Sequence, residues 1–176
     1  PDSVGLVNLD TGETTSLTDI LPLQTRGDWA WVPGFGWSYD GKTIYVVNHL
    51  PLAGLANDET SPLFNIHATS LNSGSIPLAR QTGMFAYPAA SPEQEQGRYQ
   101  LAYLQAFFPE QSENSRYRLM VMDRDGSNSR SLFPSEGLPG LDPQRVVWAP
   151  GRLPDSPYWL AFIYQGNLWL ADPATS

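Results

Sequence analysis

Gly36-Trp37-Ser38-Tyr39-Asp40-Gly41-Lys42-Thr43-Ile44-Tyr45-Val46-Val47 decides the fold. An aromatic-led segment, an Asp-Gly pair and a β-branched run together make the strongest short-range hairpin signal. The pair is expected in a type I′ turn, whose central residues need positive φ; Asp tolerates this and Gly accepts it freely.

The same layout recurs outward from this stretch. Phe85 to Pro92, a polar turn from Glu93 to Gly97, and Tyr99 to Leu104 form a second copy. Val146 to Gly151, a longer turn, and Trp159 to Tyr164 form a third. Between the copies lies another unit: an alternating strand, a turn with Asp or Asn and Gly, and a Ser/Thr/Arg-rich strand. It runs from Val4 to Thr18, from Ile66 to Arg80, from Tyr117 to Phe133, and from Gly166 to the C-terminus. Copies fall roughly 50 to 60 residues apart, a little above the length of about 40 to 50 usual for a propeller blade, and two insertions account for the excess.

Alternating hairpins of this kind read as an all-β chain forming a β-propeller segment of about three to four four-stranded blades. The expected divisions are a C–D strand pair at 4–18, blades at 35–80 and 84–133, and a blade at 145–176 lacking its last strand. Runs such as Leu160-Ala161-Phe162-Ile163 are near-continuously apolar, as strands buried on both faces should be. Trp37 and Trp148 are expected to fill the gaps between wedge-shaped blades. A β-sandwich has similar turn spacing but does not explain the ordered repetition. So few blades are expected either to belong to a longer chain or to close a ring by pairing two copies, because an open segment exposes unpaired strand edges.

Trp37-Ser38-x-Asp40-Gly41-Lys42, with Met120-Val121-Met122-Asp123-Arg124-Asp125-Gly126-Ser127-Asn128, resembles the TolB-type (WD40-like, PD40) propeller repeat. Tyr39 stands where that pattern has Pro, Ser91-Pro92-Glu93 lacks its Asp-Gly, and Ala149-Pro150-Gly151 lacks its Asp. The resemblance implies a propeller fold, which serves protein-binding scaffolds and peptidase propeller domains alike.

Composition narrows the partners. Charged residues are only 16% of the chain while Gly and Pro number 15 and 16, which suits short strands and many turns over long helices. The net charge is −8 with no cluster of Lys and Arg, so no nucleic-acid partner is expected. No run of 18 apolar residues provides a membrane span. Cysteine is absent, which removes disulfides, thiol chemistry and Cys-based zinc sites. The opening Pro1-Asp2-Ser3-Val4 reads as the middle of a longer protein, which leaves room for a targeting segment outside this window.

Few residues point to chemistry. Gly36-Trp37-Ser38-Tyr39-Asp40 looks like a serine-hydrolase nucleophile elbow, but a β-branched strand follows where an elbow needs a helix, and Asp40 replaces its second Gly. His49, Asp58 and Glu59 lie near one another in sequence and could meet a ligand or cation, but a solvated loop with an ordinary surface His is the favoured reading. His67 falls inside a strand and is expected to be packed or hydrogen-bonded. Asp123 to Asn128 resembles the start of a calcium loop without its terminal Glu; turn chemistry accounts for it. No metal or cofactor is expected. The connection Arg26 to Phe35 and the insertions Leu50 to Leu63 and Phe107 to Arg116 are expected to open on one face. With Trp29, Trp31 and Phe108 they form a candidate recognition surface, while Phe107 is expected in the core. Arg26-Gly27-Asp28 carries no weight as a motif.

The expected function is therefore a non-catalytic binding or scaffold module for a protein or peptide. The resemblance implies an exported, periplasmic or cell-surface bacterial setting. The competing readings are the propeller domain of a prolyl-oligopeptidase-like peptidase, whose hydrolase lies outside this chain, and a carbohydrate-binding propeller using Trp29 and Trp31.

Overall fold

The computed structural model describes residues 2–71, 74–94, 96–150 and 158–174. Three expected turns fall partly outside them: the Asn72-Ser73 portion of one, Glu95 of another, and residues 151–157 of the third. The described residues form an all-β protein of four antiparallel sheets, none of them closed. The first sheet pairs β1 (Asp2–Val7) with β2 (Thr14–Ile20). The second runs in chain order through β3 (Phe35–Trp37), β4 (Thr43–Leu50), β5 (Leu63–Ser70) and β6 (Gly74–Ala79). The third does the same with β7 (Ala89–Ala90), β8 (Gln100–Ala106), β9 (Tyr117–Asp123) and β10 (Arg130–Phe133). The fourth holds β11 (Val147–Trp148), β12 (Leu160–Tyr164) and β13 (Asn167–Ala171).

The hairpin that opens the second sheet shows how sequence becomes local structure. The Ser38 backbone N–H donates to Thr43 O, and the Thr43 N–H returns to Ser38 Oγ at 2.9 Å. The Asp40 carboxylate accepts from Ser38 Oγ at 2.7 Å and from the Lys42 N–H at 3.1 Å, and these bonds hold it below the usual carboxylate range. Only Gly41 takes a left-handed φ, +69°, so the turn is not type I′. The side-chain bonds of Ser38 and Asp40 hold a longer loop in its place. Ser91 repeats the device, with the Gln100 N–H donating to its Oγ at 3.0 Å.

Each sheet packs on the next in chain order. Along β4, Ile44 and Val46 pack with Ile20, Val4 and Leu6 of the first sheet. The intervening Tyr45 and Val47 pack with Leu101, Tyr103 and Met122 of the third. Period-two geometry thus sends alternate side chains to opposite neighbours, and burial of both sets explains the unbroken apolar run. Leu104, Leu119 and Val121 likewise meet Leu160 and Phe162 of the fourth sheet.

The first strands of the last three sheets, β3, β7 and β11, lie side by side along one edge of the stack. A Cβ at Gly36 of β3 would come within 2.4 Å of Pro88 O, so main chain meets main chain there. Trp148 of β11 donates from Nε1 to Ala89 O of β7 at 2.9 Å and is buried in the core, as expected. Trp37 differs: it is 46% exposed at the rim of a cleft beside β1. β7 is also shorter than the sequence predicts. Tyr87 takes a φ of +44° and Pro88 has no N–H, so ladder pairing begins only at Ala89.

Candidate functional site

Three connections meet at one end of the stack. Residues 21–34 join β2 to β3, 51–62 join β4 to β5, and 107–116 join β8 to β9. Together they enclose a cleft of about 410 Å³. Gln24, Thr25 and Arg26 line it from the first connection, Thr60 and Ser61 from the second, and Glu110 to Asn114 from the third. Phe64 and Met84 also contribute to its wall.

Hydrogen bonds fasten these loops together. The Gln24 N–H donates to Glu59 O at 2.8 Å, and Asn57 Nδ2 donates to Gln24 Oε1 at 3.0 Å. Asn57 also caps the 3-10 turn Asp58–Thr60, its side chain accepting from the Glu59 N–H. On the third connection, Ser112 is buried and its Oγ accepts from the Met84 N–H at 3.2 Å. The Tyr117 hydroxyl donates to Ser112 O at 2.7 Å, and burial pushes its pKa well above the ordinary phenol value. Gly83 sits against this joint with φ +87°, where a Cβ would lie 2.8 Å from the Cβ atoms of both Ala106 and Ser112.

The residues singled out from sequence occupy different layers. His49 is 1% exposed, beneath the loops. Its Nδ1 lies 3.1 Å from the carbonyl oxygens of Leu21 and Pro22, and its Nε2 lies 2.8 Å from that of Ser61. The ring thus lies between carbonyls of two connections, which accept from whichever ring nitrogen carries the proton. Trp31 packs edge-on against Phe64 at 5.1 Å and donates from Nε1 to Met84 O at 3.1 Å. Both residues support the surface from below. Trp29 is exposed and stacks over Phe85 at 6.3 Å. Asp58 and Glu59 stand in solvent on the 3-10 turn, and Phe108 is 68% exposed on the third loop. Phe107 is half-buried, with the Arg118 guanidinium 4.3 Å from its ring.

His49 therefore does not join Asp58 and Glu59, and among the described residues no group of three or more His, Asp and Glu could hold a metal ion. Asp123 and Asp125 are satisfied within their own turn: Asn128 Nδ2 donates to Asp123 Oδ2, and the Ser127 N–H donates to Asp125 Oδ1. Sequence reading passed over Ser112 and the polar run Glu110-Gln111-Ser112-Glu113-Asn114, which forms one wall of the cleft. The signal was there, an unbroken polar segment within an insertion. No helix among the described residues is long and apolar enough to cross a membrane.

Fold and site together define an all-β protein of stacked antiparallel sheets with a loop-built cleft at one end. No protein-family model, curated protein or solved structure matches the chain.

Proposed function

We propose that this chain is a segment of a TolB-type β-propeller, a non-catalytic scaffold whose loop-rich end recognises a protein or peptide. Sheets of two, four, four and three strands in chain order support the architecture, together with β3, β7 and β11 gathered along one edge. The resemblance in sequence adds an exported or cell-surface bacterial setting. Two copies closing one ring belong to the same reading, because Val147, Ile163, Leu168 and Leu170 leave apolar surface open on the fourth sheet.

The observation that carries the function is the convergence of three separate loops on one polar cleft, beside exposed Trp29 and Phe108. A rigid sheet stack that fixes several loops at one end is a common way to build a recognition surface. Exposed aromatics supply contact area with few rotors, and the polar wall supplies directional bonds. Panning a displayed peptide library on the immobilised chain is expected to enrich binders that a Glu110→Lys, Glu113→Lys double variant no longer retains. Absence of enrichment, or binders indifferent to that variant, would overturn the reading.

A further inference from the structure

A second recognition surface lies away from the loop cleft, where β3, β7 and β11 run side by side. Phe35, Trp37 and Tyr39 from the second sheet, Pro88 to Pro92 from the third, and Val147 to Pro150 from the fourth line a shallow groove there. Phe35, Trp37, Tyr39 and Val147 are all exposed large apolar side chains in it. Tyr39 occupies the turn position where the TolB-type pattern has proline, so this chain adds an aromatic at that rim.

Among the described residues, one charged side chain lines the groove. Arg145 holds its guanidinium 5.8 Å from the Phe35 ring and 5.6 Å from the Tyr87 ring, and among the described residues no carboxylate lines the same surface. An exposed cation seated between aromatic faces keeps its five donors available for a planar anion. Phe35 and Trp37 also line the neighbouring cleft of about 400 Å³ between β1 and the second sheet. That cleft is walled by Val4, Leu6, Ile20 and Ile44, with Asp2 as its one charged lining residue among the described residues. An apolar pocket and a guanidinium thus share the Phe35 ring. Asp2 on the far side sets the direction, since an anionic ligand group is favoured at Arg145 and disfavoured in the cleft.

The backbone adds the remaining term. β1 and β3 both line the cleft, and each pairs with a neighbour on one side only. Open strand edges present N–H and C=O groups that an extended chain can satisfy. We propose that this surface binds an extended acidic peptide, placing an apolar side chain in the cleft and a nearby carboxylate on Arg145. The site goes beyond the loop-end reading and uses none of the residues that wall the loop cleft except Leu23, which borders both.

Fluorescence anisotropy tests it on the 176-residue chain with labelled, end-capped peptides that alternate Glu with Leu or Phe. Parallel sets carry Gln or Lys in place of Glu, and unlabelled 4-phenylbutyrate serves as a small-acid competitor. The overall charge of −8 favours the Lys set, so preference for the Glu set requires a local cation. The Glu set is expected to bind tightest, to weaken with added salt, and to lose about tenfold in affinity with Arg145→Gln. A Trp37→Ala variant is expected to weaken the Glu and Gln sets alike, separating the apolar contribution from the charge. Equal binding of the Gln set, preference for the Lys set, no effect of Arg145→Gln, or no binding of the Glu set would each overturn the proposal. Phenylbutyrate that competes as well as unlabelled peptide would assign the site to small acids and overturn its assignment to a peptide.

Discussion

Gly83 and Gly41 both adopt left-handed backbone, at φ +87° and +69°, yet they answer to different constraints. At Gly41 nothing lies within 4 Å of where a Cβ would stand, so only the backbone preference resists a side chain. At Gly83 a Cβ would also collide with Ala106 and Ser112 at 2.8 Å and approach the Tyr117 hydroxyl at 3.1 Å. Gly41→Ala is therefore expected to cost about 1 to 2 kcal/mol, the left-handed penalty alone. Gly83→Ala is expected to cost roughly 2 kcal/mol beyond that, through overpacking of a well-filled joint. Urea denaturation of both variants checks this, and equal losses would mean that the joint around Ser112 yields freely. The Asp123 to Asn128 turn was legible in sequence because its hydrogen bonds are local and close within six residues. The burial of His49 was not, because its partners are carbonyls of Leu21, Pro22 and Ser61, brought to it by chain folding.

Strand β5 carries the clearest pH dependence. His67 sits on it beside β6, its Nδ1 3.3 Å from Ser75 Oγ and its buried Nε2 without a partner. Burial, with a smaller contribution from the Arg80 charge, lowers its pKa from the ordinary value of 6.5. The folded chain thus resists a proton that the unfolded chain accepts. Its contribution to stability is complete above the ordinary histidine range and is lost as pH falls from there toward the folded-state pKa. The melting temperature of the parent protein is expected to drop more between neutral and mildly acidic pH than that of His67→Gln. Parallel curves for the two proteins would remove His67 as the cause. At this scale the sequence was most informative where a strand is buried on both faces. The run Ile44 to Val47 could satisfy only two packed neighbours, and it has them. It was least informative at β7, where the left-handed Tyr87 next to Pro88 cuts the strand to two residues. No periodicity reports a single backbone angle.

Across the whole molecule, apolar surface is distributed unevenly. On the fourth sheet, Ile163 pairs with Leu168, and Val147 and Leu170 both register with Ala161, so these side chains share the open face. No charged residue occurs in β11, β12 or β13 to discourage contact. The first sheet's open face differs, presenting Ser3, Ser16 and Asp19. Light scattering across a concentration range is expected to show self-association that an Ile163→Lys, Leu168→Lys variant suppresses. A mass independent of concentration in the parent chain would exclude this face as the driver. The meeting of three loops at one cleft was readable as a consequence of the repeat. Trp37 standing in solvent was not, since that depends on how far a two-stranded sheet reaches across its neighbour.

The backbone contact between Gly36 and Pro88 has a mechanical consequence. A second such contact lies at the opposite margin, where a Cβ at Gly126 would come within 3.0 Å of Leu78 O of β6. The second and third sheets are thus pinned main chain to main chain at both margins, and opening the stack along either one is expected to strain the contact at the other.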